Sequence, residues 1–316
     1  MIAVVGAGAV GCYFGGLLAK AGAPVTLIGR LRHVDAIRKQ GLELDTLAGR
    51  SVVQLAATTD LAAAQAAQIV LVSVKTPDTE VLAKELAPHL SAGALVLSLQ
   101  NGVDNAERMH RAAGIPAFAA AVYVAVEMVG PGRVKHTGRG DLAAGDPLAE
   151  AGTVPRRPAE LAKVCEAFTR GGVPCRIAED IRVELWTKLA MNCAWNGISA
   201  LTAQRYGVIA RDPALRRTAE LVIGETVDAA ARLNISLARD QLVAAAWRLG
   251  EAMTEALSST AHDLLQGKPT EIDSLNGYVA TIGRQVGVQT PVNDTIYALV
   301  KLAERNGGVH RLQSRG

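Results

Sequence analysis

The chain has 316 residues, with 33 basic and 30 acidic side chains, a net charge of +3, 49% hydrophobic residues and 20% charged ones. That is long enough for two domains with sizeable cores, and too apolar and evenly mixed for a disordered or low-complexity protein. The basic residues form no stripe or block along the chain, so nucleic acid is not an expected partner. Cys12, Cys165, Cys175 and Cys193 form no CxxC pair and sit in apolar stretches, which argues against a disulfide framework or a zinc site. No apolar run approaches the roughly 20 residues of a membrane helix. The apolar start Met1-Ile2-Ala3-Val4-Val5 lacks a basic leader and reaches glycine at once. A cytoplasmic protein with no metal and no membrane partner is therefore expected.

In chain order, short apolar runs at 2–5, 25–28, 69–74 and 95–99 read as buried parallel strands. Between them, residues 10–21, 79–90 and 103–113 carry helical spacing, with Gly22, Gly93 and Gly114 as breaks. Residues 117–126 read as another strand, and Gly130-Pro131-Gly132 as a turn into a hairpin arm at 133–136. A loop at 152–158, a helix near 159–169 and a short strand near 175–177 complete this half. After Asp180 the strand signal fades. Ala/Leu-rich segments at 182–200, 213–233, 240–257, 271–286 and 291–305 all follow the helical period. The sequence thus predicts an α/β protein, with a Rossmann-type parallel-sheet domain over 1–179 followed by an all-helical domain over 180–316.

Gly6-Ala7-Gly8-Ala9-Val10-Gly11 follows the first strand and opens the first helix, the context that makes a G-x-G-x-x-G pattern a dinucleotide fingerprint. The first glycine makes the turn, the second admits a pyrophosphate, and the third lets helix and strand pack closely. After the second strand a carboxylate for a ribose 2′-hydroxyl is missing, and the chain reads Gly29-Arg30-Leu31-Arg32-His33. Arg30 suits a 2′-phosphate, with Arg32 or His33 adding charge, so NADP is the expected cofactor; a solvated basic loop is the other reading. Lys75 and Gln100-Asn101-Gly102 end strands where ligands gather in open α/β sheets, although a strand-end lysine can snorkel and Asn-Gly is a common turn.

In the helical half, Lys188, Asn192 and Asn196 recur four residues apart in the apolar segment Leu185-Trp186-Thr187-Lys188-Leu189-Ala190-Met191-Asn192-Cys193-Ala194-Trp195-Asn196. They make one polar stripe about 12 Å long. Partial burial would lower the Lys188 pKa and fit it for proton transfer near neutral pH. An ion-paired lysine beside two structural amides is the alternative. Ser258-Ser259 opens a polar segment with His262 and Asp263, where a surface histidine is the plain reading. Pro269-Thr270-Glu271-Ile272-Asp273 reads as a helix start, with Glu271 in its first turn as a capping carboxylate.

Taken together, these segments resemble the ketopantoate reductase family over almost the full chain. The resemblance runs through Ala3 to Gly11, Tyr13-Phe14-Gly15, Arg30, Val74-Lys75, Gln100-Asn101-Gly102, Gly130-Pro131-Gly132 and His136-Thr137-Gly138. In the second half it includes Lys188-Leu189, Asn192, Asn196, Pro269 to Asp273, Leu275-Asn276-Gly277 and Thr290-Pro291-Val292-Asn293. It implies reduction of a 2-oxo acid by NADPH, with ketopantoate as the leading substrate and pantothenate biosynthesis as the setting. It further implies Lys188 as general acid and Asn101, Asn192, Asn196, Ser259 and Glu271 as substrate ligands. Cofactor contacts would come from Gly6, Ala7, Gly8, Ala9, Val10, Gly11, Arg30, Lys75, Asn101, Ala125 and Glu271. Closure of a cleft on binding and a homodimer are compatible with this picture. The chain departs from the family's frequent residues at Gly197, Thr260 and His262, and carries Glu127 at a variable position. A relative acting on a different 2-oxo acid and an NADP-binding sensor without turnover are the other functional readings.

Overall fold

Runs of buried aliphatic residues build the middle of a ten-stranded sheet. The structure, a computed structural model, describes residues 1–149 and 156–306, so part of the loop expected at 152–158 lies outside the described residues. It divides into two compact units, Met1–Glu184 and Leu185–Gly316.

The first unit runs β1 (Ile2–Val5), α1 (Ala9–Lys20), β2 (Val25–Ile28), α2 (Leu31–Gln40), β3 (Leu42–Thr46), β4 (Gly49–Val53), β5 (Ala56–Thr58) and β6 (Ile69–Val72). It continues through α3 (Thr79–Leu86), β7 (Leu95–Ser98), α4 (Asn105–Ala113), β8 (Phe118–Gly130), β9 (Arg133–Gly145), α5 (Pro158–Arg170) and β10 (Cys175–Ile177). The sheet order is β4-β3-β9-β8-β7-β6-β1-β2-β5, with β10 beside β9. From β8 through β5 every neighbouring pair is parallel, and Ile2 of β1 aligns with Val25 of β2 and Ile69 of β6. The C-terminal ends of β7, β6, β1 and β2 therefore share one edge, the edge at which open α/β sheets bind ligands. A hollow of about 860 Å³ opens instead among residues that begin the strands, Ile2, Ile69 and Leu95, together with Arg157, Lys163 and Arg170.

The parallel-sheet core is as the sequence predicts. The additions lie between its strands. The segment after β2 is not a basic loop, because α2 starts there with Arg30 at its N-cap and buries Val34 and Ile37. The hairpin is longer than expected: β8 reaches Gly130 and β9 runs on to Gly145, alternating exposed polar and buried side chains in its first half. Gly132 turns the hairpin at φ +65°, with a would-be Cβ only 3.2 Å from Ile37. His136 is buried against Tyr13 of α1, ring centroids 4.6 Å apart, which fastens β9 to the helix behind the glycine loop.

The second unit is helical throughout its described residues. α6 (Ile181–Thr202) contains the boundary between the units within its first turns, whereas the sequence placed a boundary just ahead of it. There follow α7 (Tyr206–Arg211), α8 (Pro213–Arg232), α9 (Arg239–Ala252), α10 (Ser259–Leu265), α11 (Asn276–Val286) and α12 (Pro291–Arg305). Asp212 caps α8 by accepting from the amides of Ala214 and Leu215, with Pro213 pre-set at the first helical position. Trp195 of α6 forms the core with Tyr206 and Trp247, at 4.7 and 5.9 Å between ring centroids. Gly250 is required there, since a Cβ would stand 2.5 Å from the Trp195 ring. No helix among the described residues is long and apolar enough to cross a membrane.

Candidate active site

In the sheet unit the loops after four adjacent strands are laced together. Gly6, at φ +113°, presses so closely on the next loop that a Cβ would lie 2.7 Å from the Ser73 carbonyl carbon. Ser73 answers by donating its hydroxyl to the Gly6 carbonyl at 2.8 Å. A Cβ on Gly11 would meet the Gly6 carbonyl oxygen at 2.1 Å, so only glycine lets α1 rise this close to β1. At Gly8 the outcome is reversed, because a Cβ there would meet nothing within 4 Å. Gly8 is also the N-cap of α1, which has no side-chain cap and no acidic residue in its first turn. Backbone N–H groups of Ala9, Val10 and Gly11 thus lack intrahelical acceptors beside an open approach with no acidic residue in the first turn, the arrangement that receives a pyrophosphate. The residues fit a dinucleotide cofactor.

Gly29 closes against the same loop, with a would-be Cβ 2.4 Å from that of Ala7, and its amide donates to Thr58. Arg30 therefore emerges beside the fingerprint, and its side chain is exposed. His33 is turned toward the Gly132 amide and is held below the ordinary histidine range by burial and by Arg32 and Arg30, so it adds no charge to Arg30 near neutral pH. Lys75 is exposed at the start of the turn Thr76–Asp78. Asn101, half-buried after β7, has its carbonyl gripped by the Thr76 hydroxyl at 2.9 Å and the Asn105 amide at 2.7 Å. Ala125 lies on β8 opposite Gly138, next to a break in the ladder, and Glu127 is exposed further along the same strand.

In the helical unit, α6 brings Lys188 and Asn192 to the same half-buried face one turn apart. Asn196, the third member of the stripe, is 6% exposed and takes the Tyr206 hydroxyl on its side-chain oxygen at 3.4 Å. The stripe is thus open at two positions and closed at the third. Ser258 caps α10, accepting from the Ala261 amide and donating to the Asn196 carbonyl at 3.2 Å, which leaves Ser259 exposed on the first turn. Thr260 is buried and His262 is exposed. Glu271 does not stand in the first turn of a long helix. It precedes a single 3₁₀ turn, Ile272–Ser274, and α11 begins only at Asn276. The Glu271 segment is tied to α12 instead, through Thr270 to Glu304, Tyr297 to Asp273 at 2.8 Å, and Lys301 to Asp273 at 2.8 Å.

Several supporting residues escaped the sequence reading. Ser73 and Thr76 lace the sheet loops, and Asn105 with Thr79 backs Asn101. Asn276 and Asn293 sit wholly buried with Glu225 behind α6. Both asparagines fall in motifs that carry the family resemblance, but a polar residue in an apolar helical stretch does not reveal its partner, and Glu225 had no signal at all. Cys12 in α1 and Cys193 in α6 offer no nucleophile: burial pushes the Cys12 thiol up to about 12 and raises Cys193 well above its usual value.

Residues 2–148 match the family described as ketopantoate reductase PanE/ApbA, and residues 180–304 its C-terminal part. A 2-dehydropantoate 2-reductase of Pyrococcus horikoshii is 34% identical over 97% of this chain and 98% of its own. Among solved structures, a PanE/ApbA family ketopantoate reductase of Ralstonia eutropha JMP134 shares 40% identity, with a TM-score of 0.89 over 97% of this chain and 99% of that one. D-mandelate dehydrogenase, solved with NADH and anilino(oxo)acetate, has the same fold at 21% identity, with a TM-score of 0.89 over 97% of this chain and 99% of its own. Two matched segments spanning both units, a glycine loop shaped for a dinucleotide and a full-length likeness to reductases lead to one assignment: the chain belongs to the ketopantoate reductase family of oxidoreductases, which act on CH–OH groups.

Proposed function

We propose that the protein reduces 2-dehydropantoate to pantoate with NADPH, Lys188 acting as the general acid. The observation that carries this reading is a lysine on the half-buried face of α6, in its largely apolar stretch after Glu184, with Asn192 one turn away, in a chain of this family. When bound, the cofactor supplies the hydride. The chain's own residues do the rest. The ammonium of Lys188 stabilises negative charge as it grows on the ketone oxygen and delivers the proton that completes the alcohol. Asn192 orients substrate oxygens, and Asn196 backs it from the Tyr206 side of the helix. Ser259, on the exposed start of α10, takes the carboxylate, Glu271 completes the substrate pocket, and Asn101 serves both cofactor and substrate.

Selection of NADPH over NADH rests on Arg30. No carboxylate follows β2 to hold a ribose 2′-hydroxyl, and the exposed guanidinium beside the glycine loop suits a 2′-phosphate. Lys75 adds a second cation at the neighbouring strand end.

The test is NADPH consumption by the purified protein with ketopantoate, pyruvate and 2-oxoisovalerate in parallel. Turnover selective for ketopantoate is the expected result. Turnover confined to another 2-oxo acid would move the substrate and keep the reaction, and NADPH binding without turnover on any of them would overturn the reading.

A further inference from the structure

Behind Asn101 runs an unbroken line of buried polar side chains. The Ser98 hydroxyl donates to the Gln100 side-chain oxygen at 3.0 Å, and the Gln100 amide donates to the Thr79 hydroxyl at 2.7 Å. Thr79 in turn donates to the Asn105 side-chain oxygen at 2.9 Å, and the Asn105 amide donates to the Asn101 carbonyl at 2.7 Å. Ser98, Gln100, Thr79 and Asn105 are each 5% exposed or less. The order of donors is forced. A backbone carbonyl can only accept, so Asn105 must present its amide to Asn101 and its oxygen to Thr79. The single Thr79 proton is then committed to Asn105, which leaves the Thr79 oxygen to accept from Gln100.

Burying four polar side chains in a row is costly unless every partner is met, and a met network fixes one geometry. The fixed point at its end is the Asn101 backbone, held from the other side by Thr76 and followed by Gly102 at φ +93°. We infer that Thr79 and Asn105 are positioning residues that aim the Asn101 side chain during the reaction. The inference rests on the role assigned to Asn101 in the preceding section. Removing the Thr79 hydroxyl would leave the Asn105 oxygen and the Gln100 amide unmatched. It would also free Asn105 to flip and set its oxygen against the Asn101 carbonyl.

The test is a double-mutant cycle of Thr79→Val with Asn101→Ala, assayed well below each variant's Tm, with Thr79→Ser as the conservative variant. Thr79→Val is expected to lower kcat by about ten- to a hundredfold in the parent background. The same change should have less than about a twofold effect once Asn101 is alanine, and Thr79→Ser should restore the parent rate within about twofold. An equal loss in both backgrounds, or a lower Tm with kcat unchanged, would overturn the positioning role and leave a structural staple between α3 and α4. If the parent turns over none of the 2-oxo acids, the substrate reading fails by itself. The same cycle is then read on the NADPH dissociation constant, where additive effects or none overturn the inference and non-additive ones sustain it.

Discussion

Asn276 donates its side-chain amide to the Cys193 carbonyl at 3.2 Å, in the middle of the helix that carries Lys188, Asn192 and Asn196. That carbonyl is the one whose regular helical partner is the amide of residue 197. Gly197, unlike a proline, keeps that donor, and the Asn276 amide reaches the same carbonyl as well. The glycine has a separate cause. A Cβ at 197 would stand 2.2 Å from the Ile296 side chain of α12 and 3.3 Å from the Asn276 oxygen.

Gly197→Ala should therefore destabilise the protein by about 1–3 kcal/mol through overpacking, since the branched Ile296 has little freedom to move aside. Urea unfolding measures the loss. In the double variant with Ile296→Ala, the added methyl group enters the space vacated, so its cost should shrink. Equal costs in both backgrounds would mean that Ile296 is not what excludes a side chain at 197.

Glu107 gives the fold a pH dependence. Burial raises its carboxyl to about 7 from an ordinary value of 4.5, with nearby Asp104 adding to the shift and Arg111 and Arg182 opposing it. One of its oxygens is buried without a hydrogen-bond partner. A carboxyl that holds its proton more tightly when folded contributes stability that is complete below its unfolded pKa. That contribution is lost as pH rises through the folded value. Stability should thus fall between pH 4.5 and 7 by an amount on the order of 2 kcal/mol attributable to this group. Glu107→Gln should abolish that fall, gaining on the parent at alkaline pH and not at acid pH. Parallel pH profiles of unfolding for the two proteins would show that Glu107 is not the cause.

Much of this was legible in the sequence, and the reasons are physical. Strands buried on both faces are unbroken aliphatic runs, so β1, β2, β6 and β7 were visible with their glycine loop. The long helices of the second unit carry enough period to be seen, whereas α7 and α10, of six and seven residues, are too short to show one. The β3–β4 pair and most of β9 were not, because a ribbon with one wet face mixes Glu43, Asp45, Arg50 and Lys135 among its apolar residues. The stripe on α6 followed from spacing alone, yet the closure of Asn196 by Tyr206 did not, because α7 reaches it from beyond the helix. For Glu271, the turn chemistry of Pro269-Thr270 was read as a helix cap, when Thr270 is instead engaged by Glu304 thirty-four residues on.

Arg30 offers a direct test of cofactor choice. In the proposed role, its guanidinium makes charge-assisted hydrogen bonds to a group that only NADPH carries, and its loss would remove them. Arg30→Ala should raise the NADPH dissociation constant by about ten- to a hundredfold, as measured by cofactor fluorescence. NADH binding should change by less than about twofold. Equal weakening of both would remove Arg30 from the recognition of the 2′-phosphate and leave that role to Lys75 or to no single residue.

Lys188 can act in two ways, and two substitutions separate them. Lys188→Ala removes both the charge and the proton, and should cut kcat by about a hundred- to ten-thousandfold while NADPH binds as before. Lys188→Arg keeps a cation on the helix face, but a guanidinium does not release its proton near neutral pH and presents a planar fork in place of a point charge. If charge stabilisation dominates, the arginine variant should recover much of the loss. If proton delivery dominates, it should stay close to the alanine variant. Parent-like turnover by the alanine variant would take Lys188 out of the chemistry and return it to the role of an ion-paired helix lysine.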